Sequence, residues 1–111
     1  MRKVLLLLLV LAAWPQVASA QPAGADDGLN ATQRLGRQLF GQSCAVCHLK
    51  PQITSGTFGP PLSKASLGGQ DDVMREVIAN GTPRMPGFKY HFEPAQIDAI
   101  VQYLKTVPKE P

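Results

Sequence analysis

Apolar residues recur at helical spacing in three stretches of this chain, and no stretch alternates as a strand would. In the first, Leu35, Leu39 and Phe40 fall on one side and Arg34, Arg37 and Gln38 on the other. The spacing predicts a helix from about Ala31 into the segment CAVCH, Cys44 to His48, with Asn30 as its cap and Gln33 completing a capping box. Asn30-Ala31-Thr32 also has the form of a glycan acceptor, but the cap accounts for it without a modification. Gly36 interrupts this helix. An interior glycine costs about 1 kcal/mol relative to alanine, and close approach of a second helix is one reason to accept that cost. A shorter helix is expected with Asp71 as cap, Val73, Val77 and Ile78 as its apolar face, and Asn80-Gly81 as its end. The third has Pro94 in its first turn, carries the stripe Ile97, Ile100, Val101 and Leu104, and is closed by Pro108.

Between these helices the periodicity disappears. Leu49 to Gly69 holds four glycines and three prolines, and "TPRMPGFKYHF" is a second proline-rich loop. The expected core is short: Leu35, Leu39, Phe40, Val77, Ile97, Ile100, Val101, Tyr103 and Leu104. It is thin for the length of loop it must hold. Loops this long in a small domain are commonly functional or wrapped about a cofactor, so a large apolar group is expected in addition to the side chains.

The front of the chain sets the compartment. Arg2 and Lys3 precede the unbroken apolar run Val4–Ala13, followed by Pro15 and the small-residue ending Ala18-Ser19-Ala20. This is the plan of a secretory signal, residues 1–20, cut after Ala20. A retained anchor is disfavoured because the run is short for roughly 30 Å of hydrocarbon. Residues 21–30 then form a loose polar leader, and 31–111 one small domain. The whole chain holds 11 Lys and Arg against 8 Asp and Glu, a formal +3; losing Arg2 and Lys3 leaves 9 against 8, a formal +1. That balance gives no support to a nucleic-acid partner.

CAVCH has four readings. A disulfide between Cys44 and Cys47 suits an oxidising compartment, yet closes a very small loop and leaves His48 unexplained. A thiol oxidoreductase places C-x-x-C at a helix start after a strand, whereas here it ends a helix in a chain without strands. Zinc would need Cys44, Cys47, His48 and His91 together, with adjacent Cys47 and His48 as awkward joint ligands. Covalent haem fits best: two thiols at the spacing of two vinyl groups, then a histidine carried beneath the iron. It also supplies the apolar bulk the core lacks.

A second axial ligand could be Met74, Met85 or His91, or the site could be open. Met74 sits beside the apolar face of a helix, where methionine is usually packing. Met85 lies between Arg84 and Pro86 in a loop stiffened by two prolines, as suits a ligand held at fixed distance. His91, in the aromatic stretch KYHF, is the weaker candidate.

Over about Gln33 to Val107 the chain resembles the small bacterial class I cytochromes c, with one haem ligated by methionine and histidine. The residues carrying the resemblance are CAVCH, Gly36 and Phe40 ahead of it, the turn Gly59-Pro60-Pro61-Leu62, and "NGTPRMPGF". The resemblance implies an all-α cytochrome c fold, about three helices and long loops around one haem c bound through Cys44 and Cys47. It implies that Gly36 and Phe40 meet Ile100, Tyr103 and Leu104 where the first and last helices cross. It implies His48 and Met85 as iron ligands, with the Pro60 carbonyl accepting the Nδ1 proton of His48. Many relatives hold a haem propionate with a tryptophan; Trp14 is the only one here, so Arg84, Lys64 and Tyr90 are the candidates.

The function so implied is a periplasmic electron carrier, not an enzyme, passing single electrons from a dehydrogenase-type donor to an oxidase or another cytochrome. It is expected to be a monomer without a stable membrane anchor. Lys50, Lys64, Lys89 and Lys105 are candidates for a steering rim or are ordinary solvated lysines, and Phe58–Leu62 with Met85–Phe88 would suit an apolar contact. Two alternatives remain: a haem subunit of a periplasmic quinone-dependent dehydrogenase complex, and an open-site haem sensor or enzyme.

Overall fold

The computed structural model describes residues 27–49 and 58–109; the expected signal segment, most of the expected leader and Lys50 lie outside the described residues. Four α-helices follow in order: α1 (Ala31–Ser43), α2 (Ala45–His48), α3 (Asp71–Asn80) and α4 (Pro94–Leu104), with a 3-10 turn at Ser66–Gly69 before α3. Among the described residues no strand forms, and Thr82 and Met85 make an isolated bridge.

Asn30 and Gln33 start α1 by exchanging side-chain and backbone hydrogen bonds, each 2.9 Å. Asp27 pairs with Arg34 at 3.2 Å and Arg37 at 2.7 Å, so the last residues of the expected leader are tied to the helix. The helix does not run unbroken through CAVCH. It ends at Ser43, and Cys44 adopts φ −110° while its N–H still reaches the Phe40 carbonyl at 2.8 Å. The Cys44 carbonyl accepts from the His48 N–H at 3.1 Å, so α2 begins at once in a new direction. At α3 Gln70, not Asp71, holds the cap position; Asp71 and Asp72 lie in the first turn, where carboxylates favour the helix dipole. Gly81 ends α3 at φ +74°.

The core centres on α1 crossing α4. Gly36 is buried there, and a Cβ on it would collide with the Ala99 carbonyl and lie 2.9 Å from Tyr103 Cβ. Phe40 and Tyr103 pack 5.6 Å apart between ring centroids. Ala99, Ile100, Val101 and Leu104 are buried behind them. This stripe runs through Gly36, Leu39 and Phe40, so Leu35 falls at its edge and is 41% exposed, contrary to its place in the expected core. The buried face of α3 is Met74 and Ile78: Ile78 is buried as expected, but Met74 takes the place expected of the valines, since Val73 is exposed and Val77 half-buried. Tyr103 is also half-buried, whereas Phe92 and Cys44 join the core. Arg75 ties α3 to α4 through Asp98 at 2.6 Å, and Lys105 does so through Asp71 at 2.8 Å.

Candidate functional site

One turn of helix, α2, carries Cys47 and His48, and both line a cleft. His48 Nδ1 lies 2.7 Å from the Pro60 carbonyl oxygen. A carbonyl can only accept, so Nδ1 carries the proton and Nε2 keeps its lone pair. The backbone reaches this position because residue 59 is glycine. The Gly59 N–H donates to the Cys47 carbonyl at 2.8 Å. A Cβ on Gly59 would lie 2.7 Å from His48 Cε1 and 2.8 Å from Nδ1.

Met85 comes from the opposite wall. Thr82 and Met85 exchange backbone hydrogen bonds of 2.9 and 3.1 Å, closing a tight turn over Pro83 and Arg84. The turn is fastened to the end of α3: Phe88 N–H donates to Ile78 at 2.9 Å and Lys89 N–H to Ala79 at 3.1 Å. Gly87 permits this, since a Cβ there would lie 2.7 Å from the Ala79 carbonyl oxygen.

Between the walls is a cleft of about 320 Å³, lined by Cys47, His48, Met85 and the apolar side chains of Leu62, Met74 and Ile78 among others. That volume is within the range of small-molecule sites. The structure therefore brings Cys47, His48, Pro60 and Met85 to one place. Cys44 is a buried member of the core cluster and is not among the lining residues. Met74 lines the cleft but is packed in the core, 2% exposed. His91 is exposed, lies edge-on to Phe92 at 4.7 Å, and does not line the cleft. Of the three candidates for an acidic group, Arg84 lines it, whereas Lys64 and Tyr90 do not.

The thiols are free, and burial pushes Cys44 up to about 11, with the neighbouring Cys47 a smaller cause. A redox-active thiol needs the opposite shift. Among the described residues no three of His, Cys, Asp and Glu are grouped to hold a metal. An imidazole with a free Nε2, a thioether and apolar walls suit a flat apolar group carrying a soft metal better than a zinc ion. In the sequence, Gly59 and Thr82 stand out only as parts of motifs. The ring contact of the first and the pairing of the second with Met85 depend on how the loops fold back, which spacing does not encode.

Over residues 31–104 the chain matches the model of a family described as "Cytochrome C oxidase, cbb3-type, subunit III". It is also 34% identical over 73 residues to a "Cytochrome c-553-like" protein of a Synechocystis species, an alignment covering 65% of this chain and 66% of the relative. The chain thus spans slightly less than two thirds of that relative's own length.

Proposed function

Because the chain belongs to the small monohaem c-type cytochromes, we propose that it is an electron carrier holding one haem c in the cleft between His48 and Met85. The observation that carries this reading is that two donors line one cleft, one with its Nδ1 proton committed to Pro60 and the other on a turn fastened to α3. When bound, the group supplies a one-electron Fe(II)/Fe(III) couple, and no substrate bond is made or broken. Cys44 and Cys47 would hold it through thioether bonds, which suit the apolar surroundings of Cys44 better than a thiolate would. His48 Nε2 and Met85 Sδ would be the axial ligands. Pro60 orients the imidazole and raises its donor strength, and thioether sulfur favours the reduced metal. Leu62, Met74 and Ile78 exclude water, which also favours the form of lower net charge. The edge of the Arg84 guanidinium is available to a propionate at the rim.

The working compartment we propose is the periplasm, with the signal cut after Ala20. Among the described residues no helix is long and apolar enough to cross a membrane. The partners would be a dehydrogenase-type donor and an oxidase or cytochrome acceptor, met through small, brief interfaces.

The test is an absorption spectrum of the exported protein, oxidised and reduced. Sharp reduced c-type bands with a far-red thioether-to-iron band are expected; haem bands without the far-red one would remove Met85 as a ligand. The description of the matching family as an oxidase subunit favours a second reading, a haem subunit fixed in a larger assembly. Stable copurification with that assembly would establish it, and a free monomer would reject it.

A further inference from the structure

Two loops carry the facing walls of the cleft, residues 58–62 behind His48 and 81–88 around Met85. Each is fastened on its own side: Gly59 to Cys47 in the first, Phe88 and Lys89 to the end of α3 in the second. Among the described residues no hydrogen bond or ion pair joins one loop to the other. One contact does. The Arg84 guanidinium lies over the Phe58 ring, with Cζ 5.2 Å from its centroid. Arg84 is the neighbour of Met85, and Phe58 stands two residues before Pro60. Both line the cleft and both are exposed, Phe58 at 63%, so the pair sits on its rim. No described carboxylate pairs with Arg84, which leaves the ring as its recorded partner. A large aromatic held mostly in water thereby has a use, as the platform for a cation.

We propose that Arg84 and Phe58 form a clasp across the mouth of the cleft, making Arg84 a positioning residue for Met85. The clasp rests on the reading of Met85 as the iron ligand. The Met85 turn is anchored towards α3, and Arg84 at its tip reaches across to the Phe58 ring of the other loop. For an outside ligand to replace Met85, that tip must swing out and break the contact. A planar guanidinium stacks on a ring in a way that an ammonium does not, so the clasp is specific to arginine and not to positive charge.

The experiment is titration of the oxidised holoprotein with imidazole, following loss of the far-red band, in wild type, Arg84→Gln, Arg84→Lys, Phe58→Leu and the double variant Arg84→Gln/Phe58→Leu. Each of Arg84→Gln and Phe58→Leu is expected to tighten imidazole binding about two- to five-fold, the double variant no further than either, with denaturation midpoints lowered by no more than the same small free energy. Arg84→Lys is expected between wild type and Arg84→Gln. Unchanged affinity, additive effects, or a fall in the midpoint larger than the change in affinity accounts for would each overturn the clasp. A wild-type spectrum without the far-red band would instead overturn the reading beneath it, before any variant is compared.

Discussion

Where α1 crosses α4, small residues let two backbones meet: Gly36 against the Ala99 carbonyl, with Phe40 and Tyr103 packed alongside. At the cleft, by contrast, the walls formed by α2, α3 and the two loops stand apart across about 320 Å³, although Leu62, Met74, Ile78 and Leu104 line them. The crossing is closed by the chain itself. The cleft is shaped by it, with glycines serving a different end: Gly59 and Gly87 bring backbone against a histidine ring and a helix end, and so fix His48 and Met85. A domain of this size has little core to spare. The comparison teaches that this one divides its structural work between a helix contact closed by side chains and a cleft that its own side chains leave open.

The strongest way to break that division is to remove the attachment. Cys44→Ala with Cys47→Ala should abolish covalent haem altogether, read as haem staining after a denaturing gel. Stain that survives would contradict the thioether reading. Next is Met85→Ala, which should eliminate the far-red band and leave a position on the iron open to added imidazole. Ligand bands identical to wild type would remove Met85 from the site. Met85 lies outside the crossing, so α1 and α4 should remain helical in the Met85 variant.

Gly36→Val strikes the other region. The added carbons have nowhere to go between α1 and Ala99, and overpacking of this kind costs about 3 kcal/mol, or roughly 12–24 °C in melting temperature for a domain of this size. Gly36→Ala sharpens the test. Helix propensity alone would stabilise it by about 1 kcal/mol, yet its Cβ already collides with the Ala99 carbonyl. A melting temperature that rises would refute the close crossing.

At the crossing, the helix-interior glycine signalled that a second backbone comes close, but the partner helix was implied only by the family resemblance, and Ala99, whose carbonyl Gly36 meets, carried no signal of its own. The capping box at Asn30 and Gln33, Pro94 in the first turn of α4 and the stop at Gly81 were legible, each being local chemistry. What periodicity could not supply was the exact face. Ile78 was legible, but Val73 and Val77 compete with Met74 for the rest of that face, and the neighbours of α3 decide which is buried. Nor does apolar spacing say that Cys44 ends one helix and that Ala45 begins another. In the cleft the donors were legible by type, but the arrangement that brings them together is made by irregular loops. The Gly59 ring contact and the Arg84–Phe58 pair join residues that no period relates.

Gly59→Ala tests the loop side at smaller scale. Its Cβ would press on the His48 ring, displacing either the ring or the Pro60 carbonyl, at about 1–3 kcal/mol. A lowered melting temperature with shifted haem bands is expected. Unshifted bands would mean that the ring is not held by this contact.

The smallest effect is expected at the seam between the two regions, where Arg75 of α3 meets Asp98 of α4 at 2.6 Å and Asp72 at 2.7 Å. Hydrogen bonding to Asp98 is the main reason that the Arg75 guanidinium is held above its ordinary value. A raised cationic group gives its stability at every pH below its unfolded value, so this contact should not make the protein pH-sensitive between neutral and alkaline conditions. Both partners are substantially exposed, and water and salt screen such pairs until little net stabilisation is left. A double-mutant cycle of Arg75→Ala and Asp98→Asn should therefore return a small coupling, falling further in high salt. A large coupling that salt does not diminish would exceed what exposed pairs give. It would mean that the position of α3, and with it the Met85 turn fastened to its end, is set by charge at the seam and not by Met74 and Ile78 in the core.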